Sequence, residues 1–434
     1  MSDHDRDRCT VGVVGTGYVG LTTAACLAHL GHRVTGVDID ARKVAVLRRG
    51  DVPIAEPGLD TLVADGLATR RLTFTTDLTA LAEADVVVLC VPTPTGPDGT
   101  ADLRAYDAAV DAAAPVLAAH CVVAVKSTVP VGTTTRTARR LGRPAVSNPE
   151  FLREGHAAHD FLHPDRIVVG GSDPDAASRV ASLYDGLTAP VVHTDPVSSE
   201  LAKYASNAFL ALKVSYVNVL ADLCERLGAD VVDVTDVMRL DPRIGSTFLS
   251  PGPGWGGSCL PKDTRALLHT ATEAGADVAL LADAVAANER QHERMARKVR
   301  QAVTGSPEGS LHGVRLGLLG VTFKAGTDDV RDSPALAVAQ RLAAAGAVLT
   351  GYDPGVDRDG CPGTHGLVQL VDDVTLVAKD AAGLVLLTEW PQFRDLDWAH
   401  LAELTDRATI VDTRNLLDPP TLTRAGFTYF GLGR

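Results

Sequence analysis

The chain opens with short apolar runs that end in glycine or an acid, separated by stretches of helical periodicity. TVGVVG (10–15) is continuous and apolar, LTTAACLAHLG (21–31) has helical spacing and stops at Gly31, and RVTGVDID (33–40) closes on Asp38. Runs of this length between turn signals predict buried strands, so the opening predicts a strand–turn–helix–strand unit. DVVVLCVP (85–92), CVVAVKST (121–128) and PAVSNP (144–149) continue the series. Strands alternating with helices predict a parallel, doubly wound α/β sheet.

The pattern changes between Pro196 and Gly228. This stretch keeps helical periodicity with no interior glycine or proline. At about 1.5 Å per residue such a helix spans a whole domain, and it is expected to join two lobes and to offer a dimerisation face. The opening pattern then returns in GVRLGLLGVTFKAG (313–326), SPALAVAQRLAAAG and AVLTGYDP (347–354), with Asp353 in the strand-end place of Asp38. Thr322, Phe323 and Lys324 stand where small residues would admit a pyrophosphate. The second lobe is therefore expected to be Rossmann-like but to bind something other than a dinucleotide. The expected fold is α/β, two Rossmann-like doubly wound domains joined by a long central helix. The boundaries read as 1–195, a central helical and dimerisation region 196–300 carrying Cys259, and 301–434, with surface loops at 304–313 and 356–366.

Composition narrows the function by exclusion. A length of 434 residues calls for more than one domain, and a formal net charge of −13 argues against a nucleic-acid binder. An anionic substrate would need a local cluster of Lys and Arg against that background. MSDHDRDR has no secretory pattern, and neither a membrane span nor a membrane partner is expected. Seven cysteines, Cys361 among them, form no CxxC pair, which predicts reduced thiols in a cytoplasm.

Two motifs carry chemistry. In GTGYVG (15–20), Gly15 makes a tight turn, Gly17 lets a pyrophosphate approach the backbone, and Gly20 lets helix and strand pack closely. Asp38 would accept from ribose hydroxyls and repel a 2′-phosphate, favouring NAD over NADP, with Arg42 and Lys43 nearby to weaken that preference. The plain alternative is a glycine turn that binds no nucleotide. The second motif, GWGGSCLPKD (254–263), sets Cys259 after glycines and ahead of Lys262 and Asp263. A lone cysteine is more often a core residue; its neighbours here argue for a nucleophile. A thiol adjoining a hydride acceptor allows an alcohol to pass beyond the aldehyde, through a thiohemiacetal and a thioester, to an acid.

Other candidates stay open on residue pattern alone. Lys203 and Asn207 share one helix face, either as an oxyanion-stabilising and proton-transferring pair or as a solvated polar stripe. Thr128 lies at a strand's C-terminal edge, and Glu150 and Glu154 follow the next strand as unranked candidates for base or water-positioning group. His156, His159 and His163 lack common helical spacing and an obvious fourth ligand, so no metal site is expected.

Taken together, VGVVGTGYVGL, CVPTPT, KSTVPVGTT, SNPEFLREG, DFLHPDRIVVGG, ELAKYASNAFLALKVSYVNVL, DPRIGSTFL, GWGGSCLPKD, GVTFKAGTDDVRDSP, LLTEWPQF and DTRN resemble the UDP-glucose/GDP-mannose dehydrogenase family over nearly the whole chain. The resemblance implies an NAD-dependent four-electron oxidation of a nucleotide hexose. DPRIGSTFL leans towards UDP-glucose over GDP-mannose or TDP-glucose, and Ser258 stands where the N-acetylmannosamine branch typically has histidine. Cys259 would be the nucleophile, Lys203 the oxyanion and proton-transfer group, and Asn207 its neighbour at the sugar. Thr128 and Asp263 would order a water and Glu150 would serve thioester hydrolysis. NAD would meet Gly15, Gly17, Tyr18, Val19, Gly20, Asp38, Lys43, Thr95, Thr128, Glu154 and Arg331. The nucleotide sugar would meet Phe151, Leu152, Phe248, Ser250, Gly254, Gly256, Lys324 and Arg414. Arg243 would act across a homodimer interface. Ser250 departs from the basic or other residue many members carry there, which bears on the choice between uridine and thymidine. A non-catalytic nucleotide-sugar-binding protein and a two-electron dehydrogenase are the rival readings; neither would need Cys259.

Overall fold

The computed structural model describes residues 9–96, 99–356 and 362–434; Cys361 and the opening MSDHDRDR lie outside the described residues, as does part of the loop read at 356–366. The chain forms two compact units. The first comprises residues 1–206 and 265–273, and the second 207–264 and 274–434.

In the first unit the predicted runs are strands β1 (Thr10–Val14), β2 (Arg33–Val37), β4 (Val86–Leu89), β5 (Val122–Val125) and β6 (Ala145–Ser147), and three strands that the apolar pattern does not single out join them: β3 (Leu72–Thr75), β7 (Ile167–Gly171) and β8 (Val191–Thr194). They form one eight-stranded sheet in the order β3-β2-β1-β4-β5-β6-β7-β8. Pairing is parallel from β3 to β6, but β6 meets β7 antiparallel, so β7 and β8 run the other way. The strands expected from the sequence, β1, β2, β4, β5 and β6, form the parallel sheet expected of them, and β7 and β8 add a reversed edge to it; apolar content marks a buried strand without fixing its direction. Strands β4 and β5 are buried along their full length, as strands covered on both faces must be. Val11, Val13, Leu21, Leu27 and Phe74 fill one face, and Val87, Val123 and Tyr106 the other.

The second unit repeats the design with β9 (Arg315–Leu319), β10 (Val348–Tyr352), β11 (Gln369–Leu370), β12 (Leu384–Leu386), β13 (Thr409–Asp412) and β14 (Thr428–Phe430). Their order is β11-β10-β9-β12-β13-β14, and every pair is parallel. Its core gathers Leu316, Leu318, Val338 and Val385 on one side, and Phe393, Trp398 and Ile410 on the other.

The long helix runs Pro196–Leu227, as its uninterrupted periodicity predicts. By length and composition it could cross a membrane. Its buried positions instead include Glu200, Lys203, Asn207 and Asn218, each hydrogen-bonded within the unit it belongs to. It is a core element of both units.

Candidate active site

In the first unit the glycine turn follows β1 and leads into the helix Tyr18–His29. Gly17 precedes that helix with no side-chain cap, and a Cβ built on it would meet nothing within 4 Å. A Cβ on Gly20 would lie 1.8 Å from the Gly15 carbonyl oxygen, so only glycine lets this helix start so close to β1. The result is an uncovered helix N-terminus, which suits a pyrophosphate. Asp38 ends β2 and is buried. Its Oδ2 accepts from Thr16 N and Oγ1 at 2.9 Å and from Lys43 Nζ at 2.9 Å, and its Oδ1 from Asp40 N at 3.0 Å. Burial alone would raise this carboxyl; the bonds from Asp40, Lys43 and Thr16 outweigh it and hold the carboxyl below the usual range. Lys43 is thus the partner of Asp38. Beside it Ile39 is 99% exposed, an apolar side chain with no core role that sequence periodicity does not single out.

The Tyr18 side chain is tied to a neighbouring loop. Its phenol donates to buried Glu56, and Gly155 N donates to both, at 2.9 Å to the phenol and 2.8 Å to the carboxylate. Burial and the Glu56 carboxylate push the phenol well above its ordinary range. Tyr18 and Glu56 therefore anchor the loop that carries Glu154, which is half-buried. Val19 is half-buried against the core. Thr128 accepts through its carbonyl from Thr93 Oγ1 at 2.6 Å, and Thr95 forms an isolated bridge with Ala101.

Glu150 and Lys203 are brought together: Lys203 Nζ donates to Glu150 Oε1 at 2.9 Å, with side-chain exposures of 4% and 7%. Glu150 Oε2 accepts from Leu152 N at 2.6 Å. Phe151 lies between two cations, with Arg166 at 3.8 Å and Lys203 at 5.3 Å from its ring centre. Burial pushes the Glu150 carboxyl up, but Lys203, Leu152 N–H and Lys126 together bring it below its ordinary value. It is a buried carboxylate held ionised by cations. His159 and His163, by contrast, pack on each other with ring centres 4.9 Å apart.

The second unit holds the thiol. Cys259 is half-buried and immediately precedes the helix Leu260–Glu273, its carbonyl accepting Asp263 N at 2.9 Å. Asp263, 1% exposed, accepts from Asn207 Nδ2 and from Lys262 Nζ, each at 2.6 Å. Lys262 is therefore a partner of Asp263. Elsewhere in the chain burial pushes the Cys26 and Cys90 thiols up to about 12 and Cys121 to about 11, the mark of inert core residues.

Ahead of Cys259, residues 251–257 are all buried. Gly252 N donates to Asn218 Oδ1 and Gly252 O accepts from Gln291 Nε2, both at 2.8 Å. Asn288 bonds both the N–H and the carbonyl of Trp255 at 2.9 Å. A Cβ on Gly256 would lie 2.0 Å from Asp332 O, which fixes glycine there, and Gly254 packs on His292. Ser250 is exposed and accepts from Arg239 Nη2 at 3.0 Å, so a guanidinium stands beside this position although the residue itself is uncharged. Phe248 is exposed and left-handed at φ 60°. Arg414 lies against Gly252, bonded to Leu387 O at 2.9 Å and Phe323 O at 3.2 Å. Lys324 sits 5.5 Å from the Phe323 ring centre. Arg331 is forked onto Asp329, and Arg243, 88% exposed, is forked onto Asp241. Glu56, Lys126, Arg239 and Ile39 are the additions that sequence reasoning missed. Glu56 and Lys126 act through partners distant in sequence; an apolar residue directly after the strand-end acid could have flagged Ile39.

The chain matches the UDP-glucose/GDP-mannose dehydrogenase family models in three consecutive blocks: the NAD binding domain over residues 9–188, the central domain over 197–290 and the UDP binding domain over 317–419. It is 46% identical to a UDP-glucose 6-dehydrogenase of Rhizobium meliloti (strain 1021), covering 98% of this chain and 99% of the relative. It is 39% identical to the UDP-glucose 6-dehydrogenase TuaD of Bacillus subtilis (strain 168), covering 98% and 93%. Among solved structures it is similar to a UDP-glucose dehydrogenase from Pyrobaculum islandicum, with a TM-score of 0.90 at 37% identity over 99% of both chains. Fold, glycine turn, thiol and relatives agree: the chain belongs to the UDP-glucose/GDP-mannose dehydrogenase family, and its cofactor is NAD.

Proposed function

We propose that this protein oxidises the C6 alcohol of UDP-glucose to the carboxylate of UDP-glucuronate, reducing two NAD per sugar through a thioester on Cys259. The carrying observation is Cys259 itself, half-buried at a helix N-terminus in a loop whose backbone is fixed by Asn218, Asn288 and Gln291. A helix N-terminus favours an anion placed on it, and a thiolate is the attacking form of sulfur.

When bound, NAD supplies the hydride acceptor for each of the two oxidations. Gly15, Gly17, Val19 and Gly20 hold its pyrophosphate, and Asp38 its ribose. Ile39 offers an apolar face to the adenine, and Thr95, Glu154 and Arg331 complete the binding set. The uncovered N-terminus at Gly17 supports this fit. Tyr18 and Lys43 serve it indirectly, through Glu56 and Asp38. Lys203 hydrogen-bonds the substrate's C6 oxygen, relays its proton to the water ordered by Thr128 and Asp263 as the aldehyde forms, giving up one of its own N–H protons for the one it receives, and steadies the oxyanion of the sulfur adduct. Cys259 Sγ adds to the aldehyde carbon to give a thiohemiacetal, whose carbon yields the second hydride and becomes a thioester. A water ordered by Thr128 and Asp263 then adds with Glu150 as base, and the Cys259 thiolate leaves. Asn207, held on Asp263, orients the sugar. Phe151, Leu152, Phe248, Ser250, Gly254, Gly256, Lys324 and Arg414 form the nucleotide-sugar set.

A homodimer belongs to this reading. Phe209, Tyr216, Val219, Leu223 and Leu227 leave an apolar stripe on the long helix, 59%, 54%, 56%, 47% and 72% exposed, a face a second copy would cover. The exposed Arg243 guanidinium would then reach the partner's substrate. Cysteines outside any disulfide at Cys9, Cys26, Cys90, Cys121 and Cys224 support a reducing cytoplasm.

Turnover of UDP-glucose, TDP-glucose and GDP-mannose under identical conditions tests the substrate. Highest kcat/KM on UDP-glucose with UDP-glucuronate as product is expected; preference for another nucleotide hexose would reassign the substrate within the same chemistry. Sedimentation of the wild type and of Phe209→Lys tests the assembly, with a dimer expected only for the former.

A further inference from the structure

Lys126 is a buried cation with no part in the scheme above. It comes directly after β5, at the C-terminal edge of the sheet, and is 4% exposed. Its Nζ donates to Tyr184 OH at 3.0 Å and to Asn148 Oδ1 at 3.3 Å, and stands 5.6 and 5.7 Å from the ring centres of Tyr184 and Phe161. Tyr184 OH also donates to Asn148 Oδ1 at 2.5 Å, while Asn148 Nδ2 donates to Val168 O at 2.9 Å. Among the described residues no carboxylate reaches ion-pair distance of Lys126. Its contacts are dipoles and ring faces, and an unpaired buried charge is costly to keep.

The position of Asn148 suggests what that cost serves. It begins the segment Asn148-Pro149-Glu150 directly after β6, so the lysine that grips Asn148 sits at the root of the loop that presents Glu150. Lys203 is the direct partner of Glu150 in the structure. In the proposed reaction Lys203 must also serve the substrate oxygen, and one ammonium cannot wholly satisfy both.

We propose that Lys126 is a positioning residue for Glu150: it fixes the segment at Asn148 and places a second cation by the carboxylate when Lys203 engages substrate. This rests on the assignment of Glu150 as hydrolytic base. The groups facing Glu150 are Lys203 from the long helix, Lys126 from the end of β5, the Cys90 thiol from the end of β4, and Leu152 N–H from its own loop. Of these, the two lysines and the amide favour the charged form, and burial opposes it. Removing Lys126 therefore leaves burial less opposed, and protonation of Glu150 moves to higher pH.

The test is the titration of Glu150 in the full-length protein, read by isotope-edited infrared spectroscopy without substrate, with Glu150→Gln identifying the band. In Lys126→Met the protonated-carboxyl band should appear about one pH unit higher than in the wild type. The acid limb of kcat should rise with it, while KM for NAD stays within about twofold. A folded Lys126→Met with unchanged titration overturns the proposal. If that variant does not fold, Asn148→Asp, nearly isosteric, gives Lys126 an anion and cancels its field; an unshifted titration there overturns it equally. The spectroscopic readout needs no sugar nucleotide, so failure to turn over UDP-glucose would sink the functional reading while leaving this result intact.

Discussion

The two sheets use the same turn device to different ends. In the first unit Gly15 N donates to Val37 O, and Asp38 Oδ2 gathers Thr16 N and Oγ1. In the second, Gly320 N donates to Tyr352 O, and Asp353 Oδ2 gathers Val321 N, Thr322 N and Thr322 Oγ1. Asp40 N and Gly355 N complete the two networks on the opposite carboxylate oxygens. The two copies diverge in the segment beyond the turn glycine. After Gly15 the helix begins at Tyr18; after Gly320 it begins only at Pro334. Phe323, Lys324 and Arg331 occupy the intervening segment, and Thr388 and Trp390 bond over Thr322. A strand-turn-acid network is therefore scaffold, and the exposed helix start is what makes one copy suited to a dinucleotide.

The sharpest way to break this division of labour is at the thiol of the second unit. Cys259→Ala should lower NADH formation from UDP-glucose at least about 10³-fold, with NAD affinity by fluorescence titration unchanged. Paired glycine substitutions come next. Gly20→Ala, whose Cβ would lie 1.8 Å from Gly15 O, should raise the NAD Kd more than about tenfold and lower Tm, at a strain cost of roughly 1–3 kcal/mol. Gly320→Ala, at φ +92° with its Cβ 2.3 Å from Thr388 Cβ, should lower Tm similarly by calorimetry yet leave NAD affinity in the folded protein within about twofold. A large loss of NAD affinity in Gly320→Ala would contradict the scaffold assignment.

The two acids give a finer contrast. Asp38→Ser should raise the NADP-to-NAD ratio of kcat/KM by about tenfold or more, because a like charge no longer opposes the 2′-phosphate. Asp353→Asn should leave that ratio alone and cost about 1–3 kcal/mol of stability by denaturant titration, as buried donors lose their carboxylate. The smallest effect is on acid stability. The Asp38 carboxyl lies below its unfolded value, so its contribution is present above the unfolded pKa and lost as pH falls through the folded one. Melts of Asp38→Asn should flatten the stability slope below about pH 4 relative to the wild type.

Much of this is legible in the sequence because it is local. The glycine turn, Asp38, the uninterrupted helix to Leu227 and Cys259 ahead of a helix each rest on a few neighbouring residues. The repeat around Asp353 is visible for the same reason, including the displaced glycine pattern at Thr322. The rest depends on distant pairs. Glu150 cannot be ranked over Glu154 without Lys203, fifty-three positions away. The anchoring role of Tyr18 needs Glu56 and Gly155, and the guanidinium beside Ser250 belongs to Arg239. The reversed direction of β7 and β8 has no signature in apolar runs. That the Lys262 ammonium bonds Asp263 shows only in the folded chain.

The central claim is that Cys259 carries the substrate beyond the aldehyde, and the most direct measurement counts NADH formed per UDP-glucose consumed with NAD in excess. The account predicts a ratio of two, the stoichiometry a thioester route requires. A ratio of one, with aldehyde released, would contradict it.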